Sequence, residues 1–93
     1  MADVLEYKGH PLQRMGNMLY YGSFADPYIV VLQVLATEKV KDLDVATKVS
    51  VQLQLTDPEI KSKDRVVKQG ERESMYLAME LGSIWLERFL SQR

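Results

Sequence analysis

Valine and leucine at Val45, Val49, Val51, Leu53 and Leu55 alternate with Lys48, Ser50, Gln52, Gln54 and Thr56. A period of two puts successive side chains on opposite faces of an extended chain, so this stretch predicts a strand with one buried and one polar face. Upstream, the run YIVVLQVLAT from Tyr28 is largely apolar on both faces, as a central strand covered on two sides requires. Lys41 to Asp44 supplies the turn between the two. Centred between Asp42 and Leu43, that turn pairs Val34 with Val51, Leu32 with Leu53 and Val30 with Leu55 on one face. Gln33 then meets Gln52, and Leu35 meets Ser50, on the other. A slip of one residue would bury the glutamines.

Three shorter strands precede this pair: Val4 to Tyr7, Pro11 to Met15 and Met18 to Tyr21, with Gly9-His10 and Gly16-Asn17 as turns. The second turn sets Met15 opposite Met18, Gln13 opposite Tyr20 and Leu12 opposite Tyr21. Leu12, Leu19 and Tyr21 share a face that Leu5 and Tyr7 join. Asp26-Pro27 marks a turn before Tyr28, and Asp57-Pro58 ends the alternating strand. Glu59 to Asp64 reads as a charged loop. Arg65 to Lys68 is either a short extended piece or a lead-in, and Gly70 sits where a helix cap belongs. Glu71 and Glu73 then suit the positive end of a helix dipole, predicting one helix from about Glu71 to Leu90.

At about 100° per residue, Met75, Met79, Gly82, Trp85, Leu86 and Phe89 form one apolar stripe of that helix, with Leu77, Leu81 and Ile84 beside it. Together they span more of the circumference than packing on one sheet uses. A second copy of the chain is the expected cover, with Gly82 admitting a neighbouring backbone. The alternative is a curved sheet and N-terminal strands that wrap the helix within one monomer. Glu73, Glu80 and Glu87 recur on the remaining arc with Tyr76 and Ser83, and read as a solvated face. Successive glutamates about 10 Å apart are too far for one metal ion to bind two of them.

These elements predict one α+β domain over residues 1–93: an antiparallel, meander-like sheet of about five strands packed by one C-terminal helix. Apolar residues make up 46% of the chain and charged residues 27%, a composition that folds. Twelve basic against thirteen acidic residues leave a net charge of -1, which favours neither a nucleic-acid backbone nor an anionic membrane. Cysteine is absent, which removes disulfides and thiolate chemistry and suits a reducing cytoplasm. The N-terminal MADVLEYKGH lacks the basic and apolar segments of a signal peptide, and no stretch approaches the roughly 20 apolar residues of a membrane span. A cytoplasmic protein with no membrane partner is expected.

No glycine-rich phosphate loop, HExxH, calcium-loop spacing or CxxC occurs. His10 is the only histidine, and flanked by Gly9 and Pro11 it reads as an exposed turn residue. These features tell against an enzyme, and no catalytic residue, cofactor or metal is expected. Two surfaces are candidates for contact. The first takes in Ile29, Val31, Gln33, Leu35, Gln52 and Gln54 on the second sheet face, a mixed surface suited to a polar-rimmed protein interface or a shallow ligand site, and separately Leu77, Leu81 and Ile84 on the wide apolar arc of the helix. Its alternative is a solvated sheet face with Ile29 and Val31 covered by a loop. The second is the tyrosine-rich meander, where Lys8, Arg14 and Tyr20 could contact a small ligand or stack and neutralise a single-stranded nucleic acid. The balanced charge, and the need for Tyr7 and Tyr21 on the inner face, weigh against nucleic acid.

The run VKDLDVATKVSVQLQLTDP, with YKGHPLQRMGNMLYYG upstream, resembles a family of small uncharacterised bacterial proteins over most of the chain. The resemblance implies a bacterial, cytoplasmic origin and brings no activity or site residue with it. The expected function is a non-enzymatic protein–protein interaction module acting as a homodimer, with an unidentified protein as a further partner. Nucleic-acid or small-ligand binding at the N-terminal meander is the alternative.

Overall fold

Six strands form one antiparallel sheet whose spatial order repeats the chain order. In the computed structural model, which describes residues 5–91, they are β1 (Leu5–Tyr7), β2 (His10–Met15), β3 (Met18–Tyr21), β4 (Tyr28–Val40), β5 (Leu43–Leu55) and β6 (Val66–Arg72). A single helical turn, α1 (Ser62–Arg65), precedes β6, and the long helix α2 (Met75–Ser91) closes the chain. The α+β class, the meander and the packed C-terminal helix agree with the sequence pattern, with six strands in place of about five. Val4, read as the start of the first strand, lies outside the described residues.

Tight turns set the registers. At Gly16-Asn17, Gly16 takes φ +65°, a left-handed conformation that suits glycine, and the pairs Met15–Met18, Gln13–Tyr20 and Leu12–Tyr21 form as the pattern predicts. The preceding turn is Lys8-Gly9 rather than Gly9-His10, so His10 belongs to β2 and pairs with Tyr7. The β4–β5 turn is Lys41-Asp42, with φ of 49° and 67°, the pair of positive values that a two-residue hairpin matching the strand twist requires. It lies one residue earlier than the expected centre, and moving a turn centre by one residue moves the register by two. The observed pairs are therefore Val30–Leu53, Leu32–Val51, Val34–Val49 and Gln33–Ser50. A shift of two preserves every face assignment in this part of the pair.

One face of the sheet carries the core. Tyr21, Val30, Leu32, Val49, Val51 and Leu53 pack against Ala78, Trp85 and Leu86 of α2, with Tyr7, Leu12, Leu19 and Phe89 around them. Ser74 caps the helix, its Oγ accepting from the Leu77 N–H at 3.2 Å. The expected cap, Gly70, lies instead within β6, beneath the Trp85 ring and Leu81. Glu71 likewise sits in β6 and Glu73 just before the helix, so neither is in its first turn. Gly82 faces the chain's own sheet: a Cβ there would stand 2.9 Å from Val30 Cγ1. Its small size seats α2 on β4 of the same chain.

Beyond the sheet body β4 and β5 run on together as a two-stranded ribbon, since β3 pairs with β4 only as far as Gln33 and β6 with β5 only as far as Val49. At its root Leu35 and Thr47 are each skipped by the pairing, one bulge on each strand. Thr37, Ala46 and Asp44 are thereby turned to the helix side, and Val40, Leu43 and Val45 to the other. Val45 does not continue the buried set of Val49, Val51 and Leu53, because the bulge at Thr47 reverses the alternation that the sequence shows.

Candidate functional site

Helix α2 covers one face of the sheet, and no described element lies across the other. On that free face Ile29 and Val31 are nevertheless buried, at 2% and 3% exposure. Val31 lies between its cross-strand neighbours Tyr20 and Gln52, and Ile29 beside Gln54 and Gly22. The Gln54 amide donates to Gln52 Oε1 at 2.8 Å, and Tyr20 packs on Phe24 with ring centroids 5.7 Å apart. Neither Ile29 nor Val31 therefore presents its side chain to a partner. Gln33, Gln52 and Gln54 are half-buried, whereas Leu35 is exposed, as are Met15 at the end of β2 and Phe24 in the β3–β4 connection. Val40, Leu43 and Val45 extend the apolar character along the same side of the ribbon, Leu43 being 68% exposed.

The helix members of the predicted interface lie on the opposite side of the molecule. Leu77 and Ile84 are exposed, with Tyr76 next to them, while Leu81 packs partly against the core over Gly70. The structure thus divides these residues between two separate surfaces.

Lys8, Arg14 and Tyr20 are not brought together either. Tyr20 belongs to the free sheet face. Lys8, in the β1–β2 turn, pairs with Glu80 of α2 at 3.1 Å, and Arg14, exposed at the far end of β2, donates from Nε to the Gly16 carbonyl at 3.2 Å. Tyr7 and Tyr21 point inward, as their places in the meander require.

Between β1–β2 and α2 runs a line of polar contacts. The Tyr7 hydroxyl donates to Glu80 Oε1, the oxygen that Lys8 also reaches. The Tyr21 hydroxyl donates to the Tyr7 carbonyl at 2.7 Å, and His10 Nε2 meets Glu87 Oε1 at 2.8 Å. His10 also stands edge-on to the Tyr21 ring, centroids 5.5 Å apart. The glutamate row of the helix is accordingly not a plain solvated face: Glu80 and Glu87 hold the N-terminal hairpin, and Ser83 between them is buried, its hydroxyl donating to the Glu80 carbonyl. The Tyr7 hydrogen bond, and then Lys8, hold the Glu80 carboxyl below its usual range. The bond to Glu80 raises the Tyr7 phenol, and Lys8's own contact with Glu80 raises the Lys8 ammonium. Burial, with Glu87 and Tyr7 adding to it, pushes Tyr21 up to about 12.

Chemically, this line seals the hairpin to the helix. Raised phenols stay protonated near neutrality and act as donors rather than bases, and Lys8 is neutralised by Glu80. His10 is a half-buried strand residue rather than an exposed turn residue, and its partner Glu87 is 64% exposed at the side chain, not the buried carboxylate of a cleft. Of the row Glu73-Glu80-Glu87, only Glu80 and Glu87 belong to this seal, Glu73 lying before the helix. The pairing with Tyr7, Lys8 and His10 was not legible in the sequence, because the partners are more than 70 residues apart, at separations of 73 and 77 for Tyr7–Glu80 and His10–Glu87.

Among the described residues no three histidine, aspartate or glutamate side chains gather around a common point, and no helix is long and apolar enough to cross a membrane. No protein-family model, curated protein or solved structure matches the chain.

Proposed function

We propose that the chain is a non-enzymatic interaction module that acts as a homodimer, in a bacterial cytoplasm, through the free face of its sheet. One observation carries this reading. Among the described residues a six-stranded sheet is covered by a helix on one face only, and on the other Met15 and Leu35, then Val40, Leu43 and Val45 of the ribbon, turn apolar side chains to solvent, with exposed Phe24 of the β3–β4 connection packed on Tyr20. Sheets pack face to face at about 10 Å, interdigitating side chains of this kind, and a two-stranded ribbon gains stability from a surface to lie on. The buried Ile29 and Val31 serve such an interface as a firm floor beneath the contacts, with the glutamines supplying hydrogen bonds around it.

Sedimentation equilibrium over a wide concentration range tests the reading. A dimer is expected, shifted to monomer by Leu35→Lys or Leu43→Lys, both exposed positions whose replacement leaves the monomer folded. Ile84→Lys on the outer face of α2 is expected to leave the dimer intact. A monomer at every concentration would overturn the proposal, and dissociation by Ile84→Lys alone would move the interface to the helix.

A further inference from the structure

On the helix side of the ribbon, opposite the proposed dimer face, lies a cleft of about 490 Å³ between the ribbon, the β2–β3 hairpin and the start of α2. Its size falls within the range of small-molecule sites. Leu19, Val34, Ala46 and Met75 give it an apolar lining, and Arg14, Asn17, Thr37 and Asp44 place polar groups around it. Arg14 comes from β2 and Asp44 from β5, so the two charges reach the cleft from different hairpins. Arg14 is steadied by the bond from its Nε to the Gly16 carbonyl. Among the described residues neither Arg14 nor Asp44 takes part in an ion pair, although Lys39 stands opposite Asp44 in the ribbon.

An apolar cleft with one cation and one anion from separate elements complements a molecule of matching build. We propose that the cleft binds a small zwitterion with an apolar body, its carboxylate at Arg14, its ammonium at Asp44 and its hydrocarbon against Leu19, Val34, Ala46 and Met75. Asn17 and Thr37 offer hydrogen bonds beside the charged groups. Both a free apolar amino acid and a short apolar peptide with free termini have this chemistry. The cleft depends on the pair of bulges at Leu35 and Thr47, which turn Thr37, Ala46 and Asp44 toward the helix side.

Four probes separate the parts of this proposal: L-leucine, leucyl-leucine, N-acetyl-leucine without the ammonium, and leucinamide without the carboxylate. Titrations followed by amide chemical shifts should show saturable changes at Asn17, Thr37 and Ala46 with leucine or leucyl-leucine, and the tighter of the two identifies the source. Arg14→Gln and Asp44→Asn, both at exposed positions, should each weaken that probe about tenfold or more, the loss of one charge-assisted hydrogen bond. N-acetyl-leucine should be insensitive to Asp44→Asn, and leucinamide to Arg14→Gln. No saturable shift with either zwitterion at millimolar concentration would overturn the proposal, as would affinities that both substitutions leave unchanged. Neither result bears on the oligomeric state, so the cleft and the dimer stand or fall separately.

Discussion

Glu80 shows how one side chain can join the two ends of a chain. It accepts from Tyr7 and pairs with Lys8, and its carboxyl is held below the usual value of 4.5 by those contacts. A carboxyl whose folded pKa is depressed contributes stability that is complete above its unfolded pKa and is lost as pH falls through the folded one. Glu80→Gln should therefore be less stable than the parent near neutrality, and the gap should narrow as pH drops below 4.5. Urea midpoints of the two proteins at neutral and acid pH measure this; a gap that does not change with pH would mean the carboxylate charge is not what holds the hairpin. Sequence periodicity placed Glu80 on a polar arc correctly, but which residue meets that arc depends on where β1 is laid down beside the helix. His10 eluded the pattern for a local reason: Lys8, a residue with a Cβ, takes a left-handed conformation with Gly9 at the turn, which leaves His10 to the strand.

At the scale of elements, the alternation in β5 was legible because its two faces meet different surroundings. Val51 is fully buried against α2, while Gln52 is half-buried on the free face and accepts from Gln54. Val51→Lys should place an unpaired charge in the core and destabilise by about 4 kcal/mol or more, enough to unfold much of the population. Gln52→Lys, losing one partly exposed hydrogen bond, should cost about 1 kcal/mol. Thermal melts of the two variants at a concentration where the chain is monomeric decide it, and equal losses there would contradict the face assignment. β6 was harder to read: Gly70, Lys68, Glu71 and Arg72 depress strand propensity, yet charged residues are what an edge strand carries to avoid pairing with other chains. The glycine that looked like a helix stop instead makes room for Trp85. Moving the helix start to Ser74 follows directly, and the serine was the better cap signal. The ribbon was hidden for another reason. Bulges leave no mark in an apolar-polar pattern, so the exposed half of β5 reads as a continuation of its buried half.

For the whole molecule, strand order was the most legible property, because each pair of neighbouring strands is joined by a short turn or a single connection and antiparallel neighbours need nothing more. What covers each face was less so. Counting apolar positions on α2 gives a wider arc than one sheet uses: of the second stripe Leu81 packs over Gly70 of β6, while Leu77 and Ile84 stay exposed beside Tyr76. Among the described residues both this helix strip and the far face of the sheet are left uncovered.

A sheet laid out in chain order also implies an order of events in time. Each strand pairing is local and can close without waiting for another, so most of the structure can form through short loops. The exceptions are the contacts of the last helix, which packs on β3 and β4 and also meets the first hairpin, where the partners are separated by 73 and 77 residues. β1 gains only three residues of pairing from β2 and relies on that distant contact for the rest. It should be the last strand to lock and the first to release, and its amides should exchange with solvent faster than those of the buried stretch of β4 from Ile29 to Leu32, with Glu80→Gln speeding β1 alone. Uniform exchange across the sheet would show instead that the protein opens only as a unit.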